Sequence, residues 1–298
     1  MEQKFVFATD SGCDLTADVC RERAIYPLMM RYEMDGADCV DTMRPEDLHN
    51  FFTKMGNGSV VHTSAVNVGE YLAFWPELLK QHLPIVHLTM GSGISGTYQN
   101  ALLARDQFLQ DHPEAELYVV DSLGASMSYG MLALAAADLR DEGKTAQEAV
   151  AWLEENRLLA CPYYTTGDLS YLYRGGRVSR AGMVVAHTLN IWPILNLNPA
   201  GELKVVEKCR GRKRTYARIA EIIRDEAIDP QNHTLYICHA DDREQAELFA
   251  EQIREIAGFK DIFYSYIGTI IGAHTGPGLV SAYYYGNGRK RAAEAEKK

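Results

Sequence analysis

The 298-residue chain has no pair of cysteines two residues apart, no apolar run long enough to cross a bilayer, no internal repeat and no low-complexity tract. Each absence removes a class of protein. The six cysteines (Cys13, Cys20, Cys39, Cys161, Cys209, Cys238) are scattered, which argues against a metal site or a disulfide framework. Reduced thiols in a cytoplasm are the expectation. Without roughly 18 consecutive apolar residues there is no candidate membrane-spanning helix. The opening MEQKFVFATDSG has a short apolar stretch cut off by Asp10 and reads as a first strand, not a signal peptide. Positive charge is also scarce. A formal net charge of −10 repels nucleic acid on average and sets a nucleic-acid role at a disadvantage. What remains is a chain that is 47% apolar, enough to bury one large core or two ordinary ones.

The order of elements favours an α/β fold. Apolar runs at 4–9, 24–34, 84–90 and 116–122 read as strands. Segments 45–55, 68–83, 97–112 and 128–143 read as helices, and Pro45 sits where a first helical turn tolerates it. Thr145, with Glu148 three residues on, forms a capping box for a further helix. Strands separated by helices imply a parallel sheet covered on both faces. After residue 160 the rhythm changes. Strand candidates are 160–166, 191–197, 202–209, 234–240 and 261–268, and helices fill 213–227 and 241–257. The turn Asn198-Pro199-Ala200-Gly201 implies an antiparallel pair. The expected organisation is an N-terminal parallel-sheet α/β domain over 1–159, a C-terminal α/β domain with a mixed or antiparallel sheet over 160–288, and a charged, frayed tail over 289–298.

Small and hydroxylated residues gather where strands end, the edge at which parallel sheets bind ligands. They are TDSGCDLT (9–16), HTS (62–64), GSGISGTY (91–98) and VDSLGAS (120–126). Local helix capping accounts for any one of them alone. GSGISG fits G-x-G-x-x-G, with Asp121 at the end of the next strand, the outline of a dinucleotide site. It lies on a later strand than that fingerprint usually does, and Ser92, Ser95 and Thr97 interleave with its glycines. Hydroxyls beside free N–H groups suit a smaller anion, such as one carboxylate.

Three more segments stand out. In GTIIGAHTGPG (268–278) a buried strand is expected to end at His274, with Thr275 and Gly276 after it. This is either a tight corner or an anion site made of imidazole and backbone N–H groups. In DLSYLYRGGRVSRAG (168–182) a helix stops at Gly175-Gly176, Arg177 flanks the turn, and Ser179 is a candidate N-cap. An arginine held by a glycine turn is suited to ordering an anion. Residues 204–218, KVVEKCRGRKRTYAR, hold seven Lys or Arg and one Glu. They form either a solvated hairpin or a docking patch for an acidic partner, a phosphate or an anionic membrane surface.

Taken in order, TDSGCDLT, HTS, GSGISGTYQNA, VDSLGAS, DLSYLYRGGRVSRAG, LNIWPILNLNPAGEL, KCRGRKR and IGAHTGPG resemble the DegV family of bacterial fatty-acid-binding proteins along nearly the whole chain. The resemblance implies two α/β domains and a long acyl chain buried with its carboxylate near their junction. In related fatty acid kinase systems the carrier offers that carboxylate to a separate ATP-binding kinase subunit, giving an acyl phosphate for lipid synthesis. By the same resemblance Thr63, Ser92 and His274 match carboxylate-binding positions, with Ser64, Gly93, Ser95, Gly96, Thr275 and Gly276 around them. Arg177 matches the arginine of a glycine-glycine-arginine motif, and Arg210 and Arg212 are expected at a kinase or membrane contact. Two positions depart from the family pattern. Ala65-Val66-Asn67 follow Thr63-Ser64 where Gln-Pro-Ser is frequent, and Trp192 stands where a lysine often precedes Pro-Ile-Leu.

The physics of such a carrier is plausible. Each methylene removed from water gains about 0.8 kcal/mol, so ~14 of them gain on the order of 11 kcal/mol before the cost of association. The carboxylate needs donors, because a bare one would protonate. The expectation is therefore a cytoplasmic binding protein with a long-chain fatty acid as ligand. It has a kinase subunit as partner, a transient membrane contact, no nucleic acid, no cofactor, no metal and no catalytic residue. Two enzyme readings compete: a hydrolase of acyl esters or thioesters using Ser92 and His274, and a nucleotide-binding enzyme using the GSGISG loop.

Overall fold

The computed structural model describes residues 3–178 and 190–295. Strands β1 (Val6–Asp10) and β2 (Ile25–Leu28) pair in parallel. A small antiparallel sheet follows, made of β3 (Arg31–Met34), β4 (Ala37–Val40) and β5 (Val61–Thr63) in the order β4-β3-β5. β6 (Ile85–Thr89) and β7 (Leu117–Asp121) complete the first sheet, which is all parallel and ordered β2-β1-β6-β7. At Ala160 the chain enters a second sheet of β8 (Ala160–Thr165), β9 (Ile191–Leu197), β10 (Leu203–Arg210), β11 (Thr234–His239), β12 (Asp261–Tyr266) and β13 (Val280–Tyr285). Its order is β10-β9-β8-β13-β11-β12, and only β11 and β12 run parallel. The fold is thus mixed α/β with one parallel and one mixed sheet, as expected.

The run 24–34 is two strands, not one. Pro27 lacks an N–H and is tolerated because β2 is the edge of its sheet. The chain then leaves that sheet: the Met30 N–H bonds the Ser11 hydroxyl at 3.1 Å. β3 turns into β4 through Asp35 (φ 52°) and Gly36 (φ 84°), the paired positive φ of a two-residue hairpin turn. β4 carries too little apolar pattern to announce itself. Residues 269–275, expected to end a strand, form the helix Thr269–Thr275 instead, and the strand comes after it as β13.

Alternation along the second sheet separates two cores. Tyr163, Ile194, Ile237 and Tyr284 point to the helices Arg212–Glu226 and Arg243–Ala257 and pack there with Ile223 and Phe249. Their neighbours Tyr164, Leu195, Cys238 and Tyr283 face the other way and join the core of the first sheet. That larger core is continuous across both sheets. The segment expected to be a frayed tail is instead helical over Arg289–Ala295. Arg289 is buried and donates to the Ala160 and Leu123 carbonyls, which pins the segment to both sheets.

Candidate functional site

A cavity of about 110 Å³ lies in the seam between the sheets. Its walls are apolar, with Met30, Met90, Tyr164, Leu197, Ile270 and Leu279 among them. One end is polar. Thr63, Ser64, Ser95, Gly96, Arg177, His274 and Thr275 line it. So three hydroxyl-bearing corners converge there: HTS, the second half of GSGISG, and VDSLGAS through Ala125. TDSG does not. Asp10 is buried beneath, accepting from the Met90 N–H at 2.8 Å and the Tyr71 hydroxyl at 3.3 Å, with His87 Nε2 at 3.1 Å. The Trp75 indole N–H donates to His87 Nδ1, so the Nε2–H of His87 donates to Asp10.

Thr63 ends β5, and its hydroxyl meets His274 Nε2 at 2.7 Å. His274 sits in the last turn of its short helix, not on a strand. The helix begins where the Gly268 N–H bonds Asp14 and ends at Gly276, whose φ of 71° with an extended ψ of 177° is a glycine conformation that cannot continue it. This corrects the expected cradle of N–H groups after His274. The Gly276 N–H bonds Gly272 O and the Gly278 N–H bonds Ala240 O, both at 2.8 Å, so neither is free for an anion. What Thr275 offers is its hydroxyl, buried and without a partner.

Burial, helped by the nearby Arg177 charge, lowers the His274 pKa to about 4, so the imidazole is neutral near pH 7. Its Nδ1 has no hydrogen-bond partner and faces Gly175 so closely that a Cβ there would lie 2.2 Å away. The glycine-glycine-arginine turn is then accounted for residue by residue. Gly175 gives His274 room, Gly176 takes φ 73°, and Arg177 reaches the cavity mouth. The Arg177 guanidinium donates to the Gly175 and Ile94 carbonyls, and no carboxylate pairs with it among the described residues. Ser179 lies outside the described residues.

Ser95 is held by its own loop: its Oγ accepts the Thr97 N–H at 3.2 Å and lies 2.8 Å from Thr97 Oγ1. Thr97 Oγ1 also accepts the Val66 N–H, which ties the two corners together. The unusual Ala65-Val66-Asn67 has a local explanation here. Ala65 lines the cavity, Val66 is buried, and Asn67 caps the helix Val68–Leu79 in a box with Glu70.

Ser92 and Gly93 are not among the residues lining the cavity. The Ser92 hydroxyl donates to Asp121 Oδ2 at 2.5 Å, and its N–H to Oδ1 at 3.0 Å. Gly93 exists for close packing: a Cβ would fall 2.3 Å from Ala200 O in the β9–β10 turn. Gly91 likewise abuts the Gly124 backbone, where a Cβ would fall 2.5 Å from its nitrogen. Gly91 and Gly93 thus serve contacts of backbone on backbone, and Asp121 is already engaged. Arg210 and Arg212 are also absent from the cavity lining. Arg212 lies over the Trp192 ring at 5.6 Å and 3.9 Å from Asp242, so Trp192 serves as a platform for a cation. The apolar wall was the part sequence reasoning missed; Met30 and Met90, each following a strand, were its available signal.

Among the described residues no cluster of three or more His, Cys, Asp or Glu is arranged to hold a metal, and no helix is long and apolar enough to cross a membrane. Comparison with known proteins gives a consistent picture. A family model described as an uncharacterised protein of the DegV family matches residues 4–287. A DegV domain-containing protein from Clostridium perfringens is 35% identical over 286 residues, covering 96% of this chain and 98% of that protein. A hypothetical protein from Thermotoga maritima, described as revealing fatty acid binding function, superposes with a TM-score of 0.82 at 26% identity, over 95% of this chain and 99% of its own. A DegV lipid binding protein from the same organism superposes with a TM-score of 0.81, also at 26% identity, over 94% and 97%.

Proposed function

The chain belongs to the DegV family, and from that premise we propose that it binds one long-chain fatty acid in the seam between its sheets and presents the carboxylate to a separate kinase subunit. The observation that carries this reading is the pairing of an apolar cavity with a polar end that holds hydroxyls, a neutral imidazole and an arginine with no carboxylate partner among the described residues. An acyl chain replaces water against Met30, Met90 and Leu279, and the unbranched methionines adapt to its shape. At the head, with His274 in its Nε2–H tautomer, the imidazole donates to Thr63 Oγ1, which leaves the Thr63 O–H to donate to the carboxylate. With the Thr97 hydroxyl as the donor in its bond to Ser95 Oγ, the Ser95 O–H donates from the other side. Arg177 supplies the compensating charge near the mouth.

On this reading the protein performs no chemistry itself. Acyl phosphate forms on the partner's ATP and feeds lipid synthesis in the cytoplasm. Arg210 and Arg212, on the exposed end of β10 and the helix after it, are candidates for the kinase or a transient membrane contact. The hydrolase alternative gains nothing, because Ser92 bonds Asp121 while His274 bonds Thr63. The test is to denature the purified protein, extract it and identify lipid by mass spectrometry. Long-chain acids are expected at near-stoichiometric amounts, and Thr63→Val should retain roughly a tenth or less, the loss of one hydrogen bond to a charged group. No acid in the wild type, or unchanged content in Thr63→Val, would sink the assignment.

A further inference from the structure

A second, smaller void lies apart from the acyl cavity and shares no lining residue with it. Its volume is about 20 Å³, room for one water-sized body. Ser11, Asp14, Thr16, Asp41 and Ser265 bring oxygen atoms to its lining, beside Gly268, the apolar Leu15, Pro45 and Leu48, and the thioether of Met43. Asp14 is 4% exposed and Asp41 is 1% exposed. The two approach from different segments of the first half of the chain and converge on one glycine of the second. A Cβ on Gly268 would lie 2.8 Å from Asp14 Oδ1 and 3.8 Å from Asp41 Oδ2.

The hydrogen bonds here leave charge uncompensated. Asp14 accepts from the Gly268 N–H at 3.0 Å and from the Ser126 hydroxyl. Asp41 Oδ1 accepts the Met43 N–H at 3.2 Å. All three donors are neutral. Among the described residues, buried Asp41 Oδ2 has no well-formed hydrogen bond, with only the neutral Ser11 and Thr269 hydroxyls close by, and the Thr269 hydroxyl is likewise without one. Two buried carboxyls facing one void are accommodated by protons or by a cation.

We propose that this void is a binding site for a hard divalent cation, of the Ca²⁺ or Mg²⁺ kind, held by Asp14, Asp41 and neighbouring hydroxyl oxygens. A divalent ion neutralises both carboxylates at once, and carboxylate and hydroxyl oxygens favour these hard ions over zinc or copper. The ion joins segments 11–16 and 41 to Gly268, the residue that opens the helix whose other end carries His274. Occupancy would therefore fix the base of the element that delivers the imidazole.

The experiment is thermal unfolding of chelator-treated protein, slightly above neutral pH and at constant ionic strength, titrated with CaCl₂ or MgCl₂. A saturable rise in Tm of about 5 °C is expected at a hundredfold excess over Kd. Asp41→Asn should abolish the rise. No response to either ion, or an equal response in Asp41→Asn, overturns the proposal. If that variant fails to fold, equilibrium dialysis of the wild type against Ca²⁺ decides: a single saturable equivalent supports the site, and its absence refutes it. Neither readout involves lipid, so this inference and the fatty-acid reading fail independently.

Discussion

Between about pH 6.5 and about pH 4 the folded chain carries a neutral His274 where the unfolded chain carries a charged one. The unfolded state then binds more protons, so stability from this group is complete above the unfolded value and drains away as the pH falls. The loss approaches roughly 3 kcal/mol by the lower limit. His274→Asn should flatten that part of the profile. Urea midpoints for the two proteins across this range test it, and parallel curves would mean that the imidazole is not held neutral by burial. Gly175 belongs to the same argument. It stands at an unremarkable φ of −72°, so its role follows from the nearness of the His274 ring and not from backbone strain.

At the scale of elements, the loop 91–97 divides its serines between two tasks. Ser92 fastens the loop to Asp121 and Ser95 faces the cavity. Ser92→Ala leaves a carboxylate oxygen of the largely buried Asp121 without its donor and should cost about 1–3 kcal/mol of stability, with lipid binding nearly intact. Ser95→Ala should do the reverse. Melting curves and lipid titrations on the pair would contradict the division if both variants lost affinity alike. The sequence made the loop visible but not this partition, because the two serines have the same chemistry and differ only in direction. Elsewhere legibility followed length. The long helices and the buried strands β1, β6 and β7 announced themselves by period. The apolar Thr269-Ile270-Ile271 was too short to tell helix from strand, and that ambiguity hid β13 behind it. β2 and β3 ran together because nothing apolar or polar interrupts Met29-Met30; the break is made by a tertiary bond from Ser11.

For the whole molecule, the seam is the weak plane. The larger core runs through it from the first sheet to the near face of the second, and the cavity interrupts that continuity. An acyl chain there would act as a removable part of the core. Delipidated protein should melt about 5 °C or more below the loaded form at saturating acid. Identical melts, with removal verified by mass spectrometry, would mean that the ligand does not bridge the sheets. The two-sheet organisation was readable from the change of rhythm near residue 160. The seam was not, because it depends on which face of β8 and β9 turns inward.

The β9–β10 turn has a practical side. Surface hairpins are where an engineer usually splices in an epitope or a fluorophore. Here Ala200 and Gly201 rest on the backbone of Gly93 and Leu123, so an insertion would prise apart the wall beside the cavity. A label is better carried at exposed Gly56, the last residue of the helix Pro45–Gly56, which has open space where a side chain would project and no positive φ to strain one.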